Sequence, residues 1–423
     1  MKYLLLIFLS ILFVQPNIAQ DKSFIVTNVT IHTGKGQVIE KGAIGVKNGK
    51  IVAVEALDKV NTKGYATQID GKGQHVYPGF IAPNTLLGLV ENEAVSSTAD
   101  FREVGAYNPN IRSIIAYNTD SDVVPTIRSN GILLAEITPQ GGRMSGQSSV
   151  VQLEANNWED AALKMDHISH LNWPSRFNFR GWWAEPGGSN ENKEYANDVE
   201  VIKMYFDAAL AYTKIENPEK VNVRFEALRG LFDKSKKLFV HVDDAKSMLE
   251  AYELFKAYDI DLVYVGAAES WRIADFLKAN NIPVILGNVH SLPKHNHEDI
   301  DQPYKTPAML EQKGVKFALS MDGSWNQRNL AFQAGHAVGY GLSKEAALAA
   351  ITANSAEILG ISDRVGSLEV GKDATFIISK GDALDMRTSI ITDAYLQGIK
   401  VDLGDKQKDL YNKYMDKYKL PKE

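Results

Sequence analysis

Tyr77-Pro78-Gly79-Phe80-Ile81-Ala82-Pro83-Asn84-Thr85-Leu86-Leu87-Gly88 ends a short apolar strand, Val76 to Ile81, in a turn and an open loop. The chain reads differently on its two sides. Before it lie short strands: Phe24-Ile25-Val26, Val29-Thr30-Ile31, Ala43 to Val46 and Ile51 to Val54. Asn48-Gly49 between two of them is the signature of a tight hairpin turn. A similar texture returns in Gly366-Ser367-Leu368, Gly371 to Ile378 and Ile390-Ile391. These segments predict one small β-sandwich made from both chain ends, residues 21–75 and 365–402, with residues 76–364 inserted between them.

The inserted part alternates strands and helices. Strands are expected at Val76–Ile81, Gly131–Thr138, Ser149–Leu153, Leu238–Val242, Leu262–Val265, Val284–Leu286 and Lys316–Ser320. Between them lie helical patterns, as in Ala245–Ala257, where Met248, Leu249, Tyr252 and Phe255 recur at helical spacing. Such alternation gives a parallel sheet, and at this length it predicts an α/β fold of the (β/α)8 TIM-like barrel type. Chemistry in such barrels sits just after the strands, at their C-terminal ends. Residues 139–148 read as a Gly-rich loop, and 171–197 as a Trp-rich excursion over the mouth. From residue 403 the tail is charged, with a stripe of Leu410, Tyr411, Tyr414, Met415 and Tyr418 that predicts a short helix docked on its own domain.

The composition narrows the chemistry. A formal net charge of -6 gives no reason to expect nucleic acid or an anionic membrane as partner. The 423 residues contain no cysteine, which excludes thiolate nucleophiles, disulfides, Cys-ligated zinc and iron–sulfur clusters. Met1-Lys2, the apolar run Tyr3 to Val14, Pro16 and Ala19 have the pattern of a cleaved export signal over residues 1–20. The mature protein is therefore expected to be periplasmic or secreted, with no membrane attachment after cleavage.

At the strand ends, two residues stand out. His241 follows Phe239-Val240 and could be a metal ligand or a base. Asp322 follows Phe317 to Met321 and could bind a metal or take a proton from water. His295 and His297 form a His-x-His pair in a loop. The tentative metal set is thus His241, Asp322, His295 and His297, with His241 and Asp322 also the catalytic candidates. Asn84, Arg143 and Trp325 are the candidate substrate contacts. His167 and His170 stand near the mouth with nothing to single them out. No Gly-x-Ser-x-Gly and no His-Glu-x-x-His occurs, so neither a serine hydrolase elbow nor a zincin is supported.

Several motifs together resemble the amidohydrolase superfamily, in its imidazolonepropionase-like, periplasmic branch. They are Pro78-Gly79-Phe80-Ile81, Asp322, the run Tyr340-Gly341-Leu342-Ser343 with Ala347-Leu348, Ile351 to Gly360, and Arg364 to Ala374. The resemblance implies a (β/α)8 barrel with a flanking β-sandwich, a divalent metal, and hydrolysis of carbon–nitrogen bonds other than peptide bonds. It also exposes a departure. Where the family carries Asp-x-His-x-His after the first strand, this chain has Ala82, Asn84 and Leu86. The fifth-strand His matches His241 and the eighth-strand Asp matches Asp322, but the sixth-strand His falls at Gly266. No bridging Lys or Glu of the fourth strand can be placed. A binuclear centre is not expected; the cofactor is at most one zinc-like divalent metal, or none.

Three functions follow as expectations. The first is an exported hydrolase of small-molecule amides with a reduced metal site. The second is a catalytically inactive relative that serves as a binding or assembly partner of an active amidohydrolase, in a homo- or hetero-oligomer. The third is a sugar- or peptide-binding module using Trp173, Trp182 and Trp183.

Overall fold

Residues 23–182, 184–295 and 297–421 are described in a computed structural model. The expected signal over residues 1–20 and Trp183 lie outside these residues. The first strands are β1 (Phe24–His32), β2 (Val38–Lys47), β3 (Lys50–Ala56), β4 (Thr67–Asp70) and β5 (His75–Pro78). The hairpin between β2 and β3 turns on Asn48 and Gly49, both at positive φ (49° and 78°), the geometry that Asn-Gly accepts at little cost.

Eight strands then build the barrel: β6 (Phe80–Thr85), β7 (Ile132–Ile137), β8 (Met144–Gln152), β9 (Ala162–Asn172) and, after a hairpin of β10 (Phe177–Trp182) and β11 (Glu185–Glu191), β12 (Lys237–Val242), β13 (Leu262–Gly266), β14 (Val284–Leu286) and β15 (Phe317–Leu319). They form one sheet in the order β15-β14-β13-β12-β9-β8-β7-β6. The seam between β15 and β6 is bridged by residues 351–354: Ile81 N–H donates to the Ile351 carbonyl at 2.8 Å and Asn354 Nδ2 to the Phe317 carbonyl at 3.0 Å. The fold is a TIM-like barrel, with one local departure: β8 runs antiparallel to both β7 and β9.

The chain closes with β16 (Phe376–Ser379), β17 (Ile391–Leu396) and β18 (Ile399–Lys400). β16 pairs with β5, placing Ile377 opposite Tyr77, so strands from both chain ends share one sheet. Val26, Ile31, Ile44, Val76 and Phe376 fill its core. Gly79 lies where β5 runs into β6. A Cβ there would come within 2.8 Å of the Leu133 side chain, so glycine lets the strand press against the barrel.

Three expectations need correction. The Gly-rich stretch is only partly a loop, because β8 begins at Met144 rather than Ser149 and takes in Ser145, Gly146, Gln147 and Ser148. β9 was not foreseen at all. The tail does form a helix, Lys406–Tyr418, capped by the Asp405 side chain, but no residue of it is buried. Leu410, Tyr411, Tyr414 and Tyr418 remain exposed, and the helix is held at its first turn by Gln407 with Thr126 and Lys406 with Asp122.

Candidate active site

A cavity of 610 Å³ opens at the C-terminal ends of the barrel strands, within the usual size range of a small-molecule site. Asn84 of β6, His241 of β12, Gly266 of β13 and Asp322 after β15 all line it. Lys294, on the loop after β14, reaches across the mouth to Asp243 after β12 at 2.9 Å.

Beneath the cavity lies a network of buried polar groups. Glu136 of β7 and His170 of β9 are both fully buried, with Glu136 Oε1 3.3 Å from His170 Nε2. Ser148 of β8 joins them: its hydroxyl donates to Glu136 Oε1 at 2.7 Å and lies 2.7 Å from His170 Nε2. The other oxygen, Oε2, accepts the Asn84 N–H at 2.9 Å. Burial pushes the Glu136 carboxyl up, but the bonds from His170, Ser148 and Asn84 outweigh it and hold it below the ordinary glutamate value. On the cavity side, His170 Nδ1 is 3.0 Å from His241 Nε2. Burial drives the His241 pKa down to about 3, and the neighbouring His170 adds to the drop. His241 therefore presents a neutral imidazole, and it keeps an accessible edge on the cavity.

Asp322 sits across the mouth, exposed to solvent. Its Oδ2 accepts from Asn288 Nδ2 at 2.9 Å, and its N–H donates to Asn288 Oδ1 at 3.1 Å. This reciprocal pair fixes the carboxylate while leaving it accessible to water.

The other candidates go elsewhere. Arg143 binds the Asn172 carbonyl at 2.9 Å and Asp198 at 3.4 Å, and is not among the residues lining the cavity. Trp325 packs against the barrel core and does not line the cavity either. Trp173 does line it, but as a nearly buried ring whose Nε1 donates to Tyr195 Oη at 3.0 Å, which suits packing better than an open sugar platform.

The four tentative metal ligands do not converge. Among the described residues, one set of three His, Asp or Glu side chains has its ligand atoms within 4.8 Å of one another, and it is Glu269, His295 and Glu298. His295 Nε2 is 3.0 Å from Glu269 Oε1, while Arg272 already spans both carboxylates, at 3.5 Å to Glu269 and 3.1 Å to Glu298. His297 lies against Arg272 as well, at 3.3 Å. At the barrel axis, Ala82, Leu86 and Gly266 bring no ligand atom and Asn84 brings only a neutral oxygen. Catalytic zinc ordinarily takes three protein ligands. His241 and Asp322 provide two, so the family's binuclear centre does not fit these residues.

Three residues of the network, Glu136, Ser148 and His170, are not among the candidates read from the sequence. Glu136 left a signal: it is the lone charge in the apolar run Ile132–Ile137, and a carboxylate in a fully buried strand needs partners. His170 left none, because its strand was not recognised.

Comparison with known proteins agrees with this architecture. Residues 135–403 match the model of the amidohydrolase family. Imidazolonepropionase of Symbiobacterium thermophilum is 24% identical over 369 residues, covering 81% of this chain and 84% of the relative. Its counterpart in Mesorhizobium japonicum is 24% identical over 366 residues, covering 81% and 87%. Among solved structures, an amidohydrolase from Thermotoga maritima superposes with a TM-score of 0.77 at 22% identity, over 90% of this chain and 99% of the other. The family match spans more than half of the sequence and the barrel carries its strands in the expected order: the chain belongs to the amidohydrolase family.

Proposed function

We propose that this protein is an exported hydrolase of carbon–nitrogen bonds other than peptide bonds, acting on a small-molecule amide without the family's binuclear metal centre. The observation that carries this reading is the placement of Asp322 and His241 on one cavity at the C-terminal ends of the strands. Asp322 is the group suited to take a proton from the attacking water and return it to the leaving nitrogen. His241 stays neutral and is suited to orient the substrate. A divalent ion is needed at most once per chain, since two imidazole or carboxylate ligands at the barrel axis cannot hold a pair. The pattern of an export signal in residues 1–20 supports a site of action in the periplasm or outside the cell; among the described residues no helix is long and apolar enough to cross a membrane. The test is hydrolysis of a panel of linear and cyclic amides by the purified mature protein, with Asp322→Ala as control. Turnover that survives in the control would remove Asp322 from the mechanism.

A second reading is favoured by Leu86 and Gly266, which occupy ligand positions with no chemical group. It is an inactive barrel that binds or assembles with a related amidohydrolase. Recovery of such a relative in a pull-down from native envelope, without amide turnover, supports it. Recovery of this protein alone together with measurable hydrolysis rules it out.

A further inference from the structure

The tail helix, Lys406–Tyr418, sorts its side chains into strips. Leu410, Tyr411, Tyr414, Met415 and Tyr418 recur three and four residues apart, so they share one face. Lys406, Lys413 and Lys417 run along one margin of that face, and Lys408 with Lys419 at the helix end along the other. Asp409 and Asp416, two turns apart, mark the opposite side. These five lysines against two aspartates make a local positive excess in a chain of net charge -6. The barrel leaves the apolar face open: Leu410, Tyr411, Tyr414 and Tyr418 are 43%, 50%, 47% and 62% exposed. The rings of Tyr414 and Tyr418 stack with centroids 6.3 Å apart, and Lys417 Nζ lies 5.5 Å from the Tyr418 centroid. Rings and ammonium groups therefore meet along the same edge.

We propose that this face docks on an anionic phospholipid membrane, with the helix lying in the headgroup layer. Charge complementarity selects that occupant. A second copy seated face to face would bring two lysine-rimmed strips together, and like charges would oppose the contact. An anionic lipid surface satisfies both parts at once. Tyrosine rings and Leu410 suit the boundary between headgroups and acyl chains. The lysine stems lie along that boundary and carry their ammonium groups among the phosphates, while Asp409 and Asp416 face water. The helix has 13 residues, short of the roughly 20 needed to span, so it rests on the bilayer and tethers the barrel through its first turn. This departs from the expectation, drawn from the charge of the whole chain, that no anionic membrane is a partner. It does not depend on the proposed reaction.

The experiment is co-sedimentation of the mature protein with vesicles of mixed phosphatidylglycerol and phosphatidylcholine, and with vesicles of phosphatidylcholine alone. Binding to the mixed vesicles is expected to be at least about tenfold tighter. It should weaken by about tenfold or more in ~1 M salt, where the screening length is about 3 Å. A chain ending at Asp405 should stay in the supernatant. Lys413→Glu/Lys417→Glu reverses one margin on an exposed surface without shortening the chain, and it should abolish the preference for phosphatidylglycerol. Asp409→Asn/Asp416→Asn should keep that preference, and Tyr414→Ser/Tyr418→Ser should weaken binding to the mixed vesicles. Equal sedimentation of the full and shortened chains, equal binding to the two kinds of vesicle, or no binding to the mixed vesicles would each overturn the proposal. A lipid-free dimer in analytical ultracentrifugation that the shortened chain does not form would assign the face to a second copy instead.

Discussion

His170 Nδ1 lies 3.0 Å from His241 Nε2, and this contact, with the Asn84 N–H, links a fully buried carboxylate to the cavity. Glu136 stands on one side of it and the open mouth on the other. The network also explains why the pair tolerates burial: Glu136 has Ser148, His170 and the Asn84 N–H as partners, so the charge is not left alone in the barrel.

Breaking that arrangement from one side should be costly. His170→Ala leaves the Glu136 carboxylate buried and short of its imidazole, an effect of about 3–5 kcal/mol in comparable sites. Replacing both, in Glu136→Gln/His170→Gln, removes the stranded charge and should recover part of the loss. Urea unfolding of the two single variants and the double variant measures the coupling between them. Additive losses would mean that the two side chains do not act together.

The network was only partly legible in the sequence, for a physical reason. Hydrophobic pattern finds strands whose buried faces are apolar, as in Lys237–Val242 and Leu262–Gly266, whereas the strand read as Val76–Ile81 is two, split at Gly79, the second running on to Thr85. β9 is Ala-Leu-Lys-Met-Asp-His-Ile-Ser-His-Leu-Asn from Ala162 to Asn172, and it buries His167, Ser169 and His170. β8 buries Ser145, Gln147, Ser148 and Ser149. Both strands pack polar groups into the barrel interior, so their pattern fails where the chemistry is placed. His241 and Asp322 were visible because they follow strands that do read as apolar. That they share a cavity, and that His295 turns to Glu269 and Glu298, depends on loop paths that spacing does not encode.

Acid should destabilise the protein before its carboxylates titrate. His167, buried with its Nε2 2.7 Å from the Leu359 carbonyl, has a pKa lowered to about 4 by burial, and His241 one lowered to about 3. Both folded values lie below the ordinary 6.5, so protons favour the unfolded chain. The stability they contribute is full above about pH 6.5 and is lost as the pH falls toward the folded values, at about 1.4 kcal/mol per pH unit for each group. His167→Gln keeps an N–H donor and cannot titrate; it should lower the slope of unfolding free energy between pH 6 and about 4.5 by about 1.4 kcal/mol per pH unit, the share of one histidine, while His241 and the likewise depressed His75 and His290 keep the rest. An unchanged slope would show that His167 is not the group responsible.

Gly266→His should not rebuild the family's sixth-strand ligand. Gly266 has φ 86°, and a Cβ there would lie 2.7 Å from Asp243 Oδ1. A side chain at this position meets backbone strain of about 1–2 kcal/mol and displaces the Asp243 carboxylate that pairs with Lys294. The variant is expected to melt lower than wild type and to bind no additional zinc by elemental analysis. A gain of one tightly held zinc per chain would show that the position is more permissive than its backbone indicates.

Removing the tail helix should matter little to the fold. Lys406–Tyr418 buries no residue, and its first turn is tied to the barrel by Gln407 with Thr126 and Lys406 with Asp122. A chain ending at Asp405 should melt within about 1 °C of the full protein, the shift expected for about 1 kcal/mol in a protein of this size. A much larger drop in calorimetry would place the helix in the folded core's stability after all.

The central claim is that the barrel does its chemistry with its own acid–base groups, above all Asp322, and without a binuclear metal centre. It is tested most directly by measuring amide turnover of the mature protein before and after exhaustive chelation, alongside Asp322→Asn. After chelation, turnover should need no more than one metal ion per chain, and it should fall by about 10²–10⁴-fold in the variant. Turnover abolished by chelation and restored by two metal ions per chain would contradict it.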